Sequence, residues 1–277
     1  MSGSAVERDL FGFAGRRILI VGGGQGMGEA TARLLASLGA ELALLDIEIA
    51  RAERVRRDVE QLGVRAYAVQ ADVTDEASLT AAFAQVEREF GPVDGLVTII
   101  GMAAWSSLAE MTTEIWDADH NRNLRYVFIA AREFARSLIA RGAPGSLVTI
   151  ASVDGLRSAQ NHGSYGAAKA GLVNLVRTMA QEWAPHGIRA NCVAPGGVVT
   201  PRIPLGDPER EAQGMANVPM KRRGTTDEIA NAVGFLLSDM ATYVTGQTLA
   251  VDGGYIAAGG FSTKLPAPQG QTIGVGT

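Results

Sequence analysis

The chain has 277 residues, a hydrophobic fraction of 47% and a formal net charge of −4 from 25 basic and 29 acidic side chains, with no basic block. That is enough apolar material for one substantial core, and it leaves no electrostatic footprint for nucleic acid. One cysteine, Cys192, and three scattered histidines exclude an internal disulfide and make a poor metal site, and no apolar run is long enough to span a membrane.

The opening stretch "MSGSAVERDLFGFAG" carries acidic residues and no apolar core, so it does not read as a signal peptide, and the expected setting is the cytoplasm. Residues 1–13 are expected to form an N-terminal tail. "RRILIV" (16–21) reads as a buried strand, followed by a helix over 26–38. "ELALLD" (41–46) is a second strand, with a charged helix over about 48–62. A third strand, "VRAYAVQ" (64–70), precedes a helix over about 75–90. "VDGLVTII" (93–100) is a fourth strand, and a long helix or broken pair runs over about 112–141. "GSLVTIAS" (145–152), a helix over about 163–184 and "IRANCVA" (188–194) continue the alternation. A helix over about 226–238 and "GQTLAVD" (246–252) complete it.

Val-, Ile- and Leu-rich strands spaced by helix-length segments imply βαβ units. The expected fold is α/β: one Rossmann-type, doubly wound parallel sheet of about seven strands with helices on both faces. One domain over 14–255 is expected, with no internal repeat. Residues 196–224 break the rhythm with Gly, Pro and charges, and the part over about 198–220 reads as a lid with a short helix. Residues 256–277 form a Gly-, Pro- and Thr-rich extension.

Ligands of such sheets bind beyond the carboxyl ends of the strands. In "ILIVGGGQGMGEATARLL" a strand, a glycine turn and a helix follow one another, and Gly22, Gly26 and Gly28 allow a tight turn and close approach to a pyrophosphate at the helix N-terminus. Asp46 ends the second strand, where a carboxylate can take both ribose hydroxyls and repel a 2′-phosphate. Gln25 is uncharged, Ile47 follows Asp46, and Arg51 and Arg54 read as a solvated helix face, so NAD is favoured over NADP. Asp72, ending the third strand in "QADVTD", reads as an adenine contact or as a turn partner of Thr74; we favour the adenine contact.

Tyr165 and Lys169 lie four apart in "YGAAK", on one helix face with small residues between. A lysine ammonium about 5 Å from a phenol, at an effective dielectric near 20, favours the phenolate by about 3 kcal/mol, or roughly two pKa units. Such a phenol is poised to take a proton from an alcohol or return one to a ketone. Ser152 ends the fifth strand, where its hydroxyl can hold a substrate oxygen.

Together "GGGQGMG", "ADV", "IAS", "YGAAK", "VAPGGVVTP" and "GQTLAVDGG" resemble the short-chain dehydrogenase/reductase family, in order and over about residues 14–255. The resemblance implies that Tyr165 is the general acid/base, that Lys169 lowers its pKa and holds the nicotinamide ribose, and that Ser152 orients the substrate oxygen. It implies that Asn123, in "NRNLRYVF", holds a water of the proton relay; the "NL" pairing favours it over Asn121. Pro195 and Gly196 would line the nicotinamide, the Val198 backbone would meet its carboxamide, and Thr200 would hydrogen-bond the carboxamide or the pyrophosphate region. The same likeness places Gln25 and Met27 in the glycine loop, Ile47 and Val73 beside the adenosine, and Gly101 under the cofactor.

Two departures stand out. Thr98-Ile99-Ile100-Gly101 replaces the family's usual "NNAG", removing an asparagine that ties the central strands and placing a larger side chain near the adenosine. Val21 stands where a threonine commonly opens the glycine motif, with the loss of a turn hydrogen bond.

Around the expected mouth, Trp105 reads as a stacking surface or as packing, and Asp154 as a substrate-hydroxyl ligand or a turn cap. His162 reads as a loop-surface histidine. Ile203, Leu205, Met215, Val218 and Met220 give the lid an apolar face that suits a hydrophobic or cyclic alcohol or merely docks it. Cys192 reads as core, and Trp116 and Trp183 as packing or subunit contact.

The favoured function is NAD(H)-dependent interconversion of a secondary alcohol and a ketone. The alternatives are a methyltransferase on a similar sheet, a non-catalytic nucleotide-binding scaffold or sensor, and an NADP-dependent 3-oxoacyl-type reductase. The resemblance implies a homotetramer pairing the helices at about 112–141 and 163–184 and the C-terminal strands, and the extension at 256–277 is read as reaching a neighbouring subunit.

Overall fold

The structure, a computed structural model, describes residues 9–258. The strands are β1 (Arg17–Val21), β2 (Glu41–Asp46), β3 (Ala66–Gln70), β4 (Gly95–Thr98), β5 (Gly145–Ile150), β6 (Ile188–Pro195) and β7 (Thr248–Val251). All pair in parallel, in the order β3-β2-β1-β4-β5-β6-β7. The helices are α1 (Gly26–Ser37), α2 (Ile49–Glu60), α3 (Glu76–Glu89), α4 (Thr113–His120), α5 (Tyr126–Arg141), α6 (Gly163–Trp183), α7 (Pro208–Gly214) and α8 (Thr226–Leu237). The α/β alternation expected from the sequence is therefore present, and the long segment at 112–141 is two helices joined by one π-helical turn, Asn121–Arg125.

Alternation along each strand divides the core. Leu19, Val21, Ala43 and Leu45 face one side with Phe134, Leu172 and Val176 of α5 and α6. Ile18, Ile20, Leu42 and Leu44 face the other with Leu35, Val55, Ile229 and Val233 of α1, α2 and α8. A period of two that is apolar at every position demands cover on both faces, which the helices supply. Local signals set the helix starts: Asp75 and Thr112 accept the backbone N–H of Ala77 and Ile115, and Thr225 with Glu228 forms a capping box.

Phe13, expected in an N-terminal tail, is fully buried among α1- and α8-side residues, so the folded unit begins before residue 14. The reason is local: the Asp9 carboxylate accepts from the N–H groups of Phe11, Gly12 and Ala14, and curls this segment onto the domain. The extension beyond residue 258, and its expected subunit contact, lie outside the described residues.

The chain crosses over between β1 and β4, so the carboxyl ends of these neighbours open a crevice between diverging connections. Val21, Thr98, Thr149 and Cys192 stand level across β1, β4, β5 and β6, and everything downstream of them gathers at that edge.

Candidate active site

The glycine turn leaves β1 with Gly22 at φ +95°, and the N–H groups of Gly22 and Gly23 donate to the Leu45 carbonyl at 2.8 and 3.1 Å. A Cβ on Gly28 would lie 1.9 Å from the Gly22 oxygen, so the first turn of α1 packs on the strand exit only as glycine. Gln25 is the N-cap of α1, and Met27 packs against the α1-side core. On the far side of the loop, a Cβ on Gly26 would stand 3.7 Å from Pro201 and 4.0 Å from Thr200, so the base of the lid faces the glycine turn.

Asp46 is 6% exposed at the end of β2. Its carboxylate accepts from Gly24 N–H at 3.1 Å and Glu48 N–H at 3.0 Å, one on each oxygen, and each oxygen keeps a lone pair for a ligand. Arg51 pairs with Glu48 at 2.6 Å, and Arg54 with Glu29 at 2.6 Å. Both arginines lie on the solvated helix face expected of them and pair there with acids. The Arg54 and Arg33 guanidiniums hold the Glu29 carboxyl below its usual range.

Asp72 Oδ1 accepts from the Thr74 N–H at 2.8 Å and the Thr74 hydroxyl at 2.7 Å, the turn-partner role. One oxygen thus closes a local Asx turn, and the second stays open to a ligand. Val73 is buried beside it and Ile47 is half exposed.

The unusual Thr98-Ile99-Ile100-Gly101 segment carries its own tie between the central strands. The Thr98 hydroxyl donates to the Thr149 hydroxyl at 2.7 Å, both fully buried. Ile100 lies against the glycine turn, with its Cγ1 2.7 Å from where a Gly22 Cβ would be. Its carbonyl accepts from the buried Tyr126 hydroxyl at 2.7 Å, and burial pushes that phenol's pKa up. Gly101 leads to Asn123 and Lys169: a Cβ there would stand 3.1 Å from Asn123 Oδ1 and 3.4 Å from Lys169 Nζ.

Ser152, just past β5, caps a short 3₁₀ turn, Val153–Gly155, by accepting from the Asp154 N–H at 3.1 Å. Gly155 lets that turn press on α6, since a Cβ there would meet the Lys169 carbonyl at 2.8 Å. Tyr165 and Lys169 follow one turn apart on α6, with Nζ 5.7 Å from the phenol ring centre. Lys169 is 1% exposed and donates to the Ile150 carbonyl at 2.8 Å.

The electrostatics differ from the expectation that Lys169 depresses the phenol. Burial raises the Tyr165 pKa to about 12, partly offset by a hydrogen bond to Ser152 and reinforced by the charges of Asp154 and Asp119. Burial likewise pushes Lys169 down to about 8. The sequence argument assumed an ammonium in a medium of moderate polarity; enclosing both groups penalises both charged forms.

Asn123 is fully buried in the π turn. Its amide donates to the carbonyls of Met102 (2.7 Å) and Asp119 (2.8 Å), and Oδ1 accepts from the Met102 N–H at 3.3 Å. The side chain thus fastens the loop after β4 beside Lys169. The sequence reading missed a second fastener: buried Asp119 accepts from the Ser164 hydroxyl and, at 3.3 Å, from the Ala104 N–H. Its one visible signal is an acid on the inward side of a short amphipathic helix.

Beyond β6, Gly196 N–H donates to the Val251 carbonyl at 3.0 Å, and Val198 bridges to Gly224, so Pro195, Gly196 and Val198 stay at the sheet edge. Thr200 and Ile203 close a small turn by paired backbone bonds. Ile203, offered as a pocket residue, has its side chain 61% exposed. Of the lid's apolar residues, Val218 docks inside while Leu205 and Met220 are exposed. Cys192 is buried and burial raises its thiol to about 12.

His162 is not a surface histidine. It is the N-cap residue of α6, with its side chain 11% exposed, and Nδ1 lies 2.8 Å from Asp154 Oδ2. Trp105 lies over it, ring centres 3.6 Å apart, while itself 73% exposed. A bridge between Ser106 and His162 holds the two segments together, which no local pattern encodes.

Among the described residues, no helix is long and apolar enough to cross a membrane, and no group of three His, Cys, Asp or Glu side chains is placed to hold a metal ion.

Comparison with known proteins agrees with this fold. The family model described as "Enoyl-(Acyl carrier protein) reductase" matches residues 22–256. Over 246 residues the chain is 39% identical to the cis-4-hydroxycyclohexanecarboxylate dehydrogenase of Sinomonas cyclohexanicum, covering 88% of this chain and 98% of that one. It is 38% identical to 2-(S)-hydroxypropyl-CoM dehydrogenase 3 of Xanthobacter autotrophicus over 246 residues, 87% of this chain and 96% of that one. The crystal structure of levodione reductase superposes with a TM-score of 0.84 at 35% identity, covering 89% of this chain and 99% of that one. The protein belongs to the short-chain dehydrogenase/reductase family, a family of nicotinamide-dependent oxidoreductases.

Proposed function

We propose that this protein is an NAD(H)-dependent dehydrogenase that interconverts a secondary alcohol and a ketone. The observation that carries this is the convergence of Ser152, Tyr165 and Lys169 at the sheet edge that also presents the glycine turn and Asp46.

The residues fit a dinucleotide. A Cβ on Gly24 would fall 2.5 Å from Asp46 Oδ2, so only glycine lets the loop pack this closely on the carboxylate. Gly22, Gln25, Gly26, Met27 and Gly28 would hold the pyrophosphate at the start of α1. Asp46 and Ile47 would take the adenosine ribose, with Val73 and Gly101 along the adenosine side. Tyr165 and Lys169 would hold the nicotinamide ribose, and Pro195, Gly196, Val198 and Thr200 the ring and its carboxamide. The pairing of Arg51 and Arg54 with Glu48 and Glu29 supports NAD, since each arginine would have to leave its acid to meet a 2′-phosphate.

When bound, the nicotinamide accepts a hydride in alcohol oxidation and gives one in ketone reduction. The chain's own residues handle the proton. Ser152 Oγ orients the substrate oxygen, and Tyr165 Oη takes its proton or returns it. Lys169 Nζ supplies positive charge beside the phenol when protonated. Asn123 positions the loop at 102–104 next to Lys169 and completes the relay. A phenol lifted to about 12 by burial needs positive charge in its pocket to release its proton. An oxidised nicotinamide would add such charge, which favours deprotonation when the enzyme is set for oxidation.

A hydrophobic or cyclic alcohol suits the exposed apolar rim of Trp105, Ile203 and Leu205, and a cyclic alcohol is the substrate named for the Sinomonas relative. We place the protein in the cytoplasm as a homo-oligomer, with Trp116 and Phe128 on α4 and α5 as exposed apolar contacts. Light scattering tests the assembly.

The decisive experiment measures NADH and NADPH formation across cyclic secondary alcohols with the native chain and Tyr165→Phe. Turnover with NAD that collapses in the variant while NADH binding survives is expected. Unchanged turnover in Tyr165→Phe would refute the mechanism, and equal use of NADP would refute the Asp46 assignment.

A further inference from the structure

We propose that His162 and Asp154 form a specificity dyad that binds a second hydroxyl of the substrate, next to the reacting carbinol. The inference rests on the dehydrogenase reading and extends it to the substrate class: neutral diols and polyols with an apolar or cyclic body.

The argument begins with the ring's hydrogens. Asp154 Oδ2 lies 2.8 Å from His162 Nδ1, and a carboxylate only accepts, so Nδ1 carries the hydrogen. In the neutral ring, Nε2 then presents a lone pair. That atom is buried and has no hydrogen-bond partner among the described residues. A buried acceptor left unpaired costs free energy, so the fold retains an acceptor that nothing in the protein satisfies.

The position suits a substrate. His162 precedes Tyr165 by three residues, and the two rings meet edge to face with centres 5.6 Å apart. The other end of the dyad is tied to the catalytic serine, because Ser152 Oγ accepts the Asp154 N–H. The imidazole and the Ser152–Tyr165 pair that would hold the carbinol thus lie about one helical turn apart.

The surroundings choose a hydroxyl over an anion. Asp154 and Asp119 face this end of α6, and both raise the Tyr165 pKa through their negative charge. Lys169 donates Nζ to the Ile150 carbonyl. The Trp105 ring over His162 supplies an apolar wall beside the acceptor. An apolar wall, a lone pair and two nearby acids disfavour a carboxylate and accept an O–H.

The test compares kcat/KM for cis-1,2-cyclohexanediol, cyclohexanol and 2-hydroxycyclohexanecarboxylate in the native chain, His162→Phe, His162→Gln and Asp154→Ala. The native chain should prefer the diol to cyclohexanol by about tenfold or more. His162→Phe should bring that ratio to near unity. His162→Gln, whose amide oxygen reaches the place of Nε2, should keep part of it, and Asp154→Ala should lower it by freeing the tautomer. A diol preference that survives His162→Phe, or a native preference for the hydroxy acid, overturns the dyad. Equal turnover of diol and cyclohexanol by the native chain overturns the dyad alone, leaving the dehydrogenase reading intact. Turnover of none of the three, with NADH still bound, counts against both.

Discussion

Thr98 and Thr149 join the two central strands hydroxyl to hydroxyl, 2.7 Å apart, at fully buried level positions on β4 and β5. Removing one partner strands the other in the core, whereas removing both leaves two methyl groups of matching shape. Thr149→Val is therefore expected to cost about 1–3 kcal/mol, and the double replacement with Thr98→Val less than the sum of the two singles. Urea denaturation of the four proteins gives the coupling energy. Simple additivity would show that the pair does not act as a unit.

Lys169 should impose a pH-dependent burden on stability. Its pKa is near 8 in the folded chain against 10.5 for the free side chain, so between those values the unfolded chain binds a proton that the folded chain does not. Stability from this group thus rises with pH across that window, and the full penalty applies below it. Lys169→Met should stabilise the protein at pH 7 by up to about 3 kcal/mol, less what is lost with the bond to the Ile150 carbonyl. The gain should shrink towards pH 10 while activity stays abolished. A stability difference that ignores pH would contradict the depressed lysine.

Arg223 fastens the lid. It pairs with Glu211 of α7 at 2.7 Å and donates to the carbonyls of Ile203 and Pro204, with its side chain 8% exposed. Arg223→Ala removes all three contacts. Limited proteolysis within residues 202–214 should accelerate severalfold, and KM for the alcohol should rise more than kcat falls. Cleavage at the native rate would mean that the lid is held by Val218 and its docking alone.

Asp46→Ser tests the cofactor end separately. The carboxylate's repulsion of a 2′-phosphate disappears, while a hydroxyl can still accept one backbone N–H. KM for NAD is expected to rise about tenfold, and the NADP-to-NAD ratio of kcat/KM to rise at least as much. An unchanged ratio would assign cofactor choice elsewhere in the loop.

Much of this was readable in advance because it repeats at short range. The Leu19/Val21 and Ile18/Ile20 alternation declares a strand covered on both faces, and the i, i+4 spacing of Tyr165 and Lys169 places them on one side of α6. What escaped depends on distant segments. His162 looks exposed until the chain around Trp105 and Ser106 is laid across it. The Thr98–Thr149 tie appears only once the register of β4 and β5 is known. The sign of the Tyr165 shift turned on burial, which no pairwise sum of charges contains. Asp72 shows the short-range case again: its turn with Thr74 is one of the two roles the residue order allows.

The π turn at Asn121–Arg125 governs how the chain can vary in length. Each α-helical residue advances the side chains by about 100°, so deleting one residue from α4 would rotate this turn and all of α5 rather than merely shorten the segment. Asn123 would leave the loop after β4, and the buried Tyr126 would be carried off the Ile100 carbonyl. The phase of 113–141 should thus be kept fixed to the residue, and insertions and deletions should be absorbed outside it.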